Sequence, residues 1–205
     1  MNLRLKIQPF ALGASLVLAA PGAFAEAPKP GAKTAAPTKA PLEKKDPAAG
    51  PSAAVPGENA KAELQGLDGK TVATVILEET PAGVLVTVDA GGLPPGIHAF
   101  HIHETGKCEP PFKSAGGHFN PEARKHGIKH PGGKHAGDLP NLHVPEGGKL
   151  KLEALLRDVT LKAGAKNGLF DGDGSSLVVH AKGDDNVTDP AGNAGDRIAC
   201  GVVAR

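Results

Sequence analysis

His101 and His103 close the apolar run Ile97-His98-Ala99-Phe100-His101-Ile102-His103. On a strand, side chains alternate faces, so these two imidazoles point the same way, about 7 Å apart along the chain. That spacing lets both reach one metal ion. Further ligand-type residues follow: His118 in Gly-Gly-His-Phe-Asn-Pro, His126 in Arg-Lys-His-Gly, and His135 with Asp138 in Lys-His-Ala-Gly-Asp-Leu. His180 ends a second apolar run, Ser176-Leu177-Val178-Val179-His180. Six histidines and one aspartate thus stand at close intervals, four of the seven in a single Gly/Pro-rich segment. Imidazole suits zinc and copper, and a carboxylate added to three histidines fits a closed tetrahedral zinc site.

The elements that must carry these residues read as β-strands. Short β-rich runs recur at Ala62–Leu67, Thr71–Glu78, Val84–Val88, Ile97–His103, Leu150–Leu156, Ser176–Ala181 and Ile198–Val203, with turn signals such as Asp68-Gly69 and Pro81-Ala82-Gly83 between them. No stretch sustains a helical period. Many short strands with Gly/Pro turns predict an all-β, antiparallel sandwich or barrel. The exception is Glu104–Leu150, over forty residues dense in Gly and Pro. A loop of that length inside a domain needs a function or a staple to hold it.

The first 60 residues read differently. Met1–Ala25 has basic Arg4 and Lys6, an apolar core from Phe10 to Ala20, and Ala23-Phe24-Ala25 as a cleavage signal, the pattern of a secretory signal peptide. Residues 26–57 hold seven prolines, nine alanines and five lysines, so 26–60 reads as an extended linker with too little apolar surface to fold. Residues 61–205 then form one domain. Its 16 Lys/Arg against 18 Asp/Glu give a net charge of −2, which excludes the broad basic field of a nucleic-acid binder. Exported location, periplasmic or extracellular, is the expectation, with no membrane span in the mature chain. In such a compartment the only two cysteines, Cys108 and Cys200, read as a disulfide. Thiolate metal ligation is the alternative.

Taken in order, the segments around His101, His103, His118, His126, His135, Asp138 and His180, with Gly-Asn-Ala-Gly-Asp-Arg197-Ile-Ala-Cys200-Gly-Val, resemble those of the copper–zinc superoxide dismutases. The resemblance covers residues 61–205 and looks closest to bacterial exported members. It implies a Greek-key, immunoglobulin-like fold with long metal-binding and disulfide loops. It implies one copper per subunit on His101, His103, His118 and His180, and one zinc on His118, His126, His135 and Asp138. His118 bridges the two. Superoxide is then the substrate, and a homodimer is admitted. By the same resemblance Asp184 accepts hydrogen bonds from His101 and His126, and Arg197 guides the anion, so that His118 and Arg197 are the catalytic residues. The segment 185–191 is short and lacks lysine, which leaves Lys113 as a candidate guiding cation. His98 is expected to make a structural hydrogen bond, and His130 and His143 to be solvated loop residues. The competing readings are a non-catalytic copper/zinc-binding or copper-delivery domain on the same fold, a zinc hydrolase, and an adhesion-type sandwich with incidental histidines.

Overall fold

The computed structural model describes residues 58–205; the signal and linker expectations fall on residues outside this range, apart from 58–60. Nine strands run in chain order: β1 (Asn59–Gly66), β2 (Thr71–Thr80), β3 (Gly83–Ala90), β4 (Gly96–His98), β5 (Phe100–His103), β6 (Leu142–Val144), β7 (Leu150–Leu156), β8 (Ser176–His180) and β9 (Arg197–Val202). Seven form one antiparallel sheet in the order β5-β8-β9-β1-β2-β3-β7, and β4 pairs with β6 in a separate ribbon. The connections β3 to β5 and β7 to β8 carry the chain across the sheet, as the expected Greek key requires. The sheet curls into a half-barrel whose two ends the ribbon links. β4 runs through Ala99 into β5, and β6 packs against β7.

Alternation of small and branched residues builds the core. β1 turns Ala60, Ala62 and Leu64 inward, β2 Ala73, Val75 and Leu77, and β3 Val84, Val86, Val88 and Ala90. The apolar residues of opposite parity on β2, Val72 and Ile76, are only partly buried. Phe100, Ile102, Leu177 and Val179 extend the same core through β5 and β8. Those two strands are buried at every position, because the segment following β5 covers their outer face.

Two features differ from the sequence expectation. The run Ile97–His103 breaks at Ala99, whose N–H bonds the Lys182 carbonyl and whose carbonyl accepts from His180. The chain thereby changes partner, from β6 to β8. A short strand, β6, also lies inside the long Gly/Pro-rich segment, placing His143 on a strand with an exposed side chain.

Cys108 and Cys200 form a disulfide with a Cα–Cα distance of 5.6 Å, across 92 residues of sequence. Closing so long a loop is worth about 4 to 5 kcal/mol on chain entropy. The bond sits beside Phe112, Ala115 and Val178, a small cluster separate from the main core. It fastens the start of the long loop to β9.

Candidate metal centre

β5 presents His101 and His103 to the loop that covers it. The backbone of the loop bonds to the strand in a regular way: Phe119 N–H to Ile102 O (2.8 Å), Ile102 N–H to Gly137 O (2.9 Å) and Glu104 N–H to Gly117 O (3.0 Å). Bridges pair His103 with His118 and His101 with Asp138. The ligand-type residues of the loop are therefore set in register with those of the strand.

Two groups of four result, sharing His118. In one, His101, His103, His118 and His180 each bring a ligand atom within 4.8 Å of the others; in the second, His118, His126, His135 and Asp138 do the same. All seven residues are buried.

The first group passes a direct test of fit to a metal. Four buried ring nitrogens have no hydrogen-bond partner: His101 Nδ1, His103 Nε2, His118 Nε2 and His180 Nε2. On each ring the other nitrogen is engaged. His101 Nε2 donates to Asp184 (2.9 Å), His103 Nδ1 to Gly116 O (3.1 Å), His180 Nδ1 to Gly195 O (3.2 Å), and His118 Nδ1 faces Asp138 Oδ1 (3.0 Å). Hydrogen bonding of one nitrogen fixes the tautomer and leaves a lone pair on the other. Orphaned buried polar atoms are rare because each carries a desolvation penalty. Four converging lone pairs match what a late transition-metal ion would satisfy.

The second group is organised by a carboxylate. Asp138 Oδ1 lies 3.0 Å from His118 Nδ1, 3.1 Å from His126 Nδ1 and 3.4 Å from His135 Nδ1. Its Oδ2 accepts from the N–H groups of Gly127 (3.0 Å) and His135 (2.9 Å). Three imidazole nitrogens and one carboxylate oxygen are a complete tetrahedral donor set for zinc. A zinc ion held by all four would have no position left for a bound water, which the hydrolase reading would need.

The electrostatics of the groups are opposed. Burial pushes His103 down to about 2 and His180 down to about 3, with the neighbouring rings and Arg197 adding to the effect. Burial likewise lowers His118 to about 4, against the pull of Asp138. For His126 burial works the same way, but hydrogen bonds to Asp138 and Asp184 outweigh it and raise the ring to about 9. Burial also disfavours the Asp138 carboxylate, yet hydrogen bonds from His118, His126 and His135 hold it well below the usual range.

Asp184 joins the groups: it receives His101 Nε2 at 2.9 Å and His126 Nε2 at 3.0 Å. The turn around it is held by Asn141, whose Oδ1 accepts from Asp184 N–H (2.8 Å) and whose Nδ2 donates to Asp184 O (2.9 Å). Sequence reasoning missed Asn141, which lies 43 residues away with no motif to mark it. Gly192 packs on the same carboxylate at φ +61°, where a Cβ would overlap Asp184 Oδ1.

Arg197 opens β9 and donates to two carbonyls of the long loop, Phe112 O and Gly116 O, each at 2.6 Å. Those residues flank the 3-10 turn Lys113–Ala115 and both have positive φ. Lys113 and Arg197 line one cleft of about 580 Å³, together with Leu67, Pro111, Gly195 and Asp196. His98, buried behind the site, places Nδ1 2.8 Å from His180 O and Nε2 3.0 Å from Pro94 O, the structural bonding expected of it. His130 accepts from Gly132 N–H and takes no part in either group.

Comparison with known proteins places this geometry in context. The family profile "Copper/zinc superoxide dismutase" matches residues 71–203. Superoxide dismutase [Cu-Zn] 2 of Aquifex aeolicus is 52% identical over 146 residues, covering 70% of this chain and 85% of that protein. Superoxide dismutase [Cu-Zn] of Caulobacter vibrioides is 45% identical over 148 residues, 71% of this chain and 85% of that one. Among solved structures, a SOD-like protein from Bacillus subtilis superposes with a TM-score of 0.67 at 42% identity, covering 69% of this chain and 96% of its own.

Proposed function

The chain belongs to the copper/zinc superoxide dismutase family, and from that premise we propose that it dismutes superoxide to dioxygen and hydrogen peroxide at the two histidine groups. Copper is assigned to His101, His103, His118 and His180, and zinc to His118, His126, His135 and Asp138. The observation that carries this reading is the set of four buried, unpartnered ring nitrogens converging beside a closed N₃O group. Copper supplies one-electron redox chemistry there, while zinc is redox-silent and supplies charge and geometry.

The protein's own residues do the rest. Arg197 presents a cation in the cleft, and its guanidinium cannot wander because two carbonyls hold it. A planar fork suits a small oxyanion better than a mobile ammonium. Lys113, exposed on the adjoining turn, adds positive potential at the cleft. His118 offers Nε2 to one group and Nδ1 to the other, and Nε2 is the atom at which it can hold a proton destined for the product. Asp184 and Asn141 keep the rings of His101 and His126 in place.

Residues 1–25 are assigned as a signal peptide, 26–60 as a linker and 61–205 as the catalytic domain, with the mature chain exported to an oxidising compartment. The Cys108–Cys200 bond supports that location, since disulfides persist there. Among the described residues no helix is long and apolar enough to cross a membrane.

Superoxide decay measured by pulse radiolysis on the copper- and zinc-loaded protein tests the reading. We expect decay to accelerate in proportion to loaded protein. Decay no faster than with metal-free protein would leave a metal-binding or copper-delivery domain instead.

A further inference from the structure

A second charged cleft, of about 400 Å³, is lined by no residue of the two histidine groups. One wall consists of Glu122, Arg124, Lys134 and Ala136 from the long loop, the other of Arg157, Asp158, Lys166 and Asn167 from the segment after β7. Two ion pairs span the walls: Lys134 to Asp158 at 2.8 Å and Lys166 to Glu122 at 2.9 Å. They consume both carboxylates and two of the four cations. Arg124 and Arg157 remain, with no ion pair and no side-chain hydrogen bond among the described residues.

The scaffold under this pair is fixed. Asn120 bonds the Arg124 backbone at both ends, accepting from its N–H (3.0 Å) and donating to its carbonyl (2.9 Å). Asn167 donates to the carbonyl of Asp158, the residue after Arg157 (3.2 Å). In a domain of net charge −2 the concentration of positive charge here is local, not part of a general basic field.

Two guanidiniums facing one cleft, with the nearby carboxylates already engaged, call for an anion carrying more than one charge. Each guanidinium is a rigid fork of donors matched to planar or tetrahedral oxyanions. A carboxylate has a single charge and would suit one fork. A phosphate group presents three acceptor oxygens and up to two charges, enough for both. The cleft is also much larger than a phosphate ion and leaves room for the molecule that bears it. We propose that Arg124 and Arg157 form a binding site for a phosphate group carried on a larger molecule, flanked by Lys134 and Lys166.

The test uses the full metal-loaded protein and two probes. Calorimetry with tripolyphosphate reads binding of a soluble phosphate; co-sedimentation with vesicles containing phosphatidic acid, whose headgroup is a phosphate monoester, against phosphatidylcholine alone, reads a lipid headgroup. We expect at least one probe to bind and R124Q/R157Q to weaken it by about tenfold or more. A control lacking two other cations, K61Q/K70Q, should bind as the parent does. Binding of tripolyphosphate identifies a soluble ligand, and binding of anionic vesicles alone identifies a lipid one. Unaltered superoxide decay would show that R124Q/R157Q is folded. Should it not fold, R124K/R157K carries the test, since it keeps the charge and removes the forks, and it too should bind more weakly. Failure of both probes to bind the parent, or equal weakening in the control, would overturn the proposal.

Discussion

The two histidine groups share a side chain and solve opposite problems. The group centred on Asp138 contains its own counter-charge, so its imidazole nitrogens already face a carboxylate oxygen, and His126 holds its proton up to about 9. The group of His101, His103, His118 and His180 contains no carboxylate. Its nitrogens are left bare, and burial drives His103 and His180 down to about 2 and 3. Beside the carboxylates His126 keeps a proton, whereas burial excludes protons from the rings of the bare group. Metal ligation needs deprotonated ligands, so the bare group keeps its lone pairs available across the whole neutral range.

The sharpest way to break this contrast is to remove what the groups share. His118→Ala takes from each group one of its four proposed ligands, and we expect near-complete loss of superoxide dismutation. Zinc and copper content of the purified variant should both fall; full retention of zinc would show that the carboxylate group stands alone. Asp184→Ala is next in effect. It frees Nε2 of both His101 and His126, and a loss of this kind typically weakens metal affinity or activity by about 10- to 100-fold. Competition with a chelator should show both metals affected, because the carboxylate reaches into both groups.

Removing the metals exposes the contrast as a pH profile. In the unfolded chain each histidine titrates near 6.5, whereas folded His103, His180 and His118 take a proton only at about 2, 3 and 4. Between those values the unfolded chain binds more protons, so stability falls as pH drops below about 6.5. His126 has the reverse sign. Its contribution is complete below about 6.5 and is lost as pH rises through about 9. Urea midpoints of the metal-free protein should peak near neutrality and fall on both sides, more steeply in acid, where His103, His180, His118 and the likewise buried and lowered His101 all act, than in base, where His126 acts. A midpoint independent of pH from 4 to 9 would contradict the opposed electrostatics.

Lys113→Gln should have the smallest effect. It leaves both groups intact and removes one exposed cation from the cleft of Arg197, so the rate should fall by a few-fold at low salt and converge with the parent as salt screens the field. A salt-independent loss would place Lys113 in a structural role instead.

Much of this was legible in the sequence, and for physical reasons. His101 and His103 sit on a strand whose period is fixed, and the Gly-flanked loop histidines stood out by type and order. The short β-rich runs predicted the sheet. What was hidden depends on partners far along the chain. Nothing local says that Ala99 gives up β6 for β8, or that residues 142–144 pair with β4. On β2 the apolar Val72 and Ile76 have the parity of the outer face, and only the sheet's curl decides that Ala73, Val75 and Leu77 form the inner one. Asn141 was illegible for the same reason: its role exists only through the fold of the turn at Asp184.

β5 stands last in the order of the seven-stranded sheet, where a strand ordinarily exposes a row of unpaired donors and acceptors able to recruit another chain. Here that row is occupied by Gly117, Phe119 and Gly137 of the long loop. The segment that carries the second group of ligands is therefore also an edge guard. The fittings that seat it, a disulfide at one end and the histidine groups along its length, protect the molecule from its own neighbours as well as serving its chemistry.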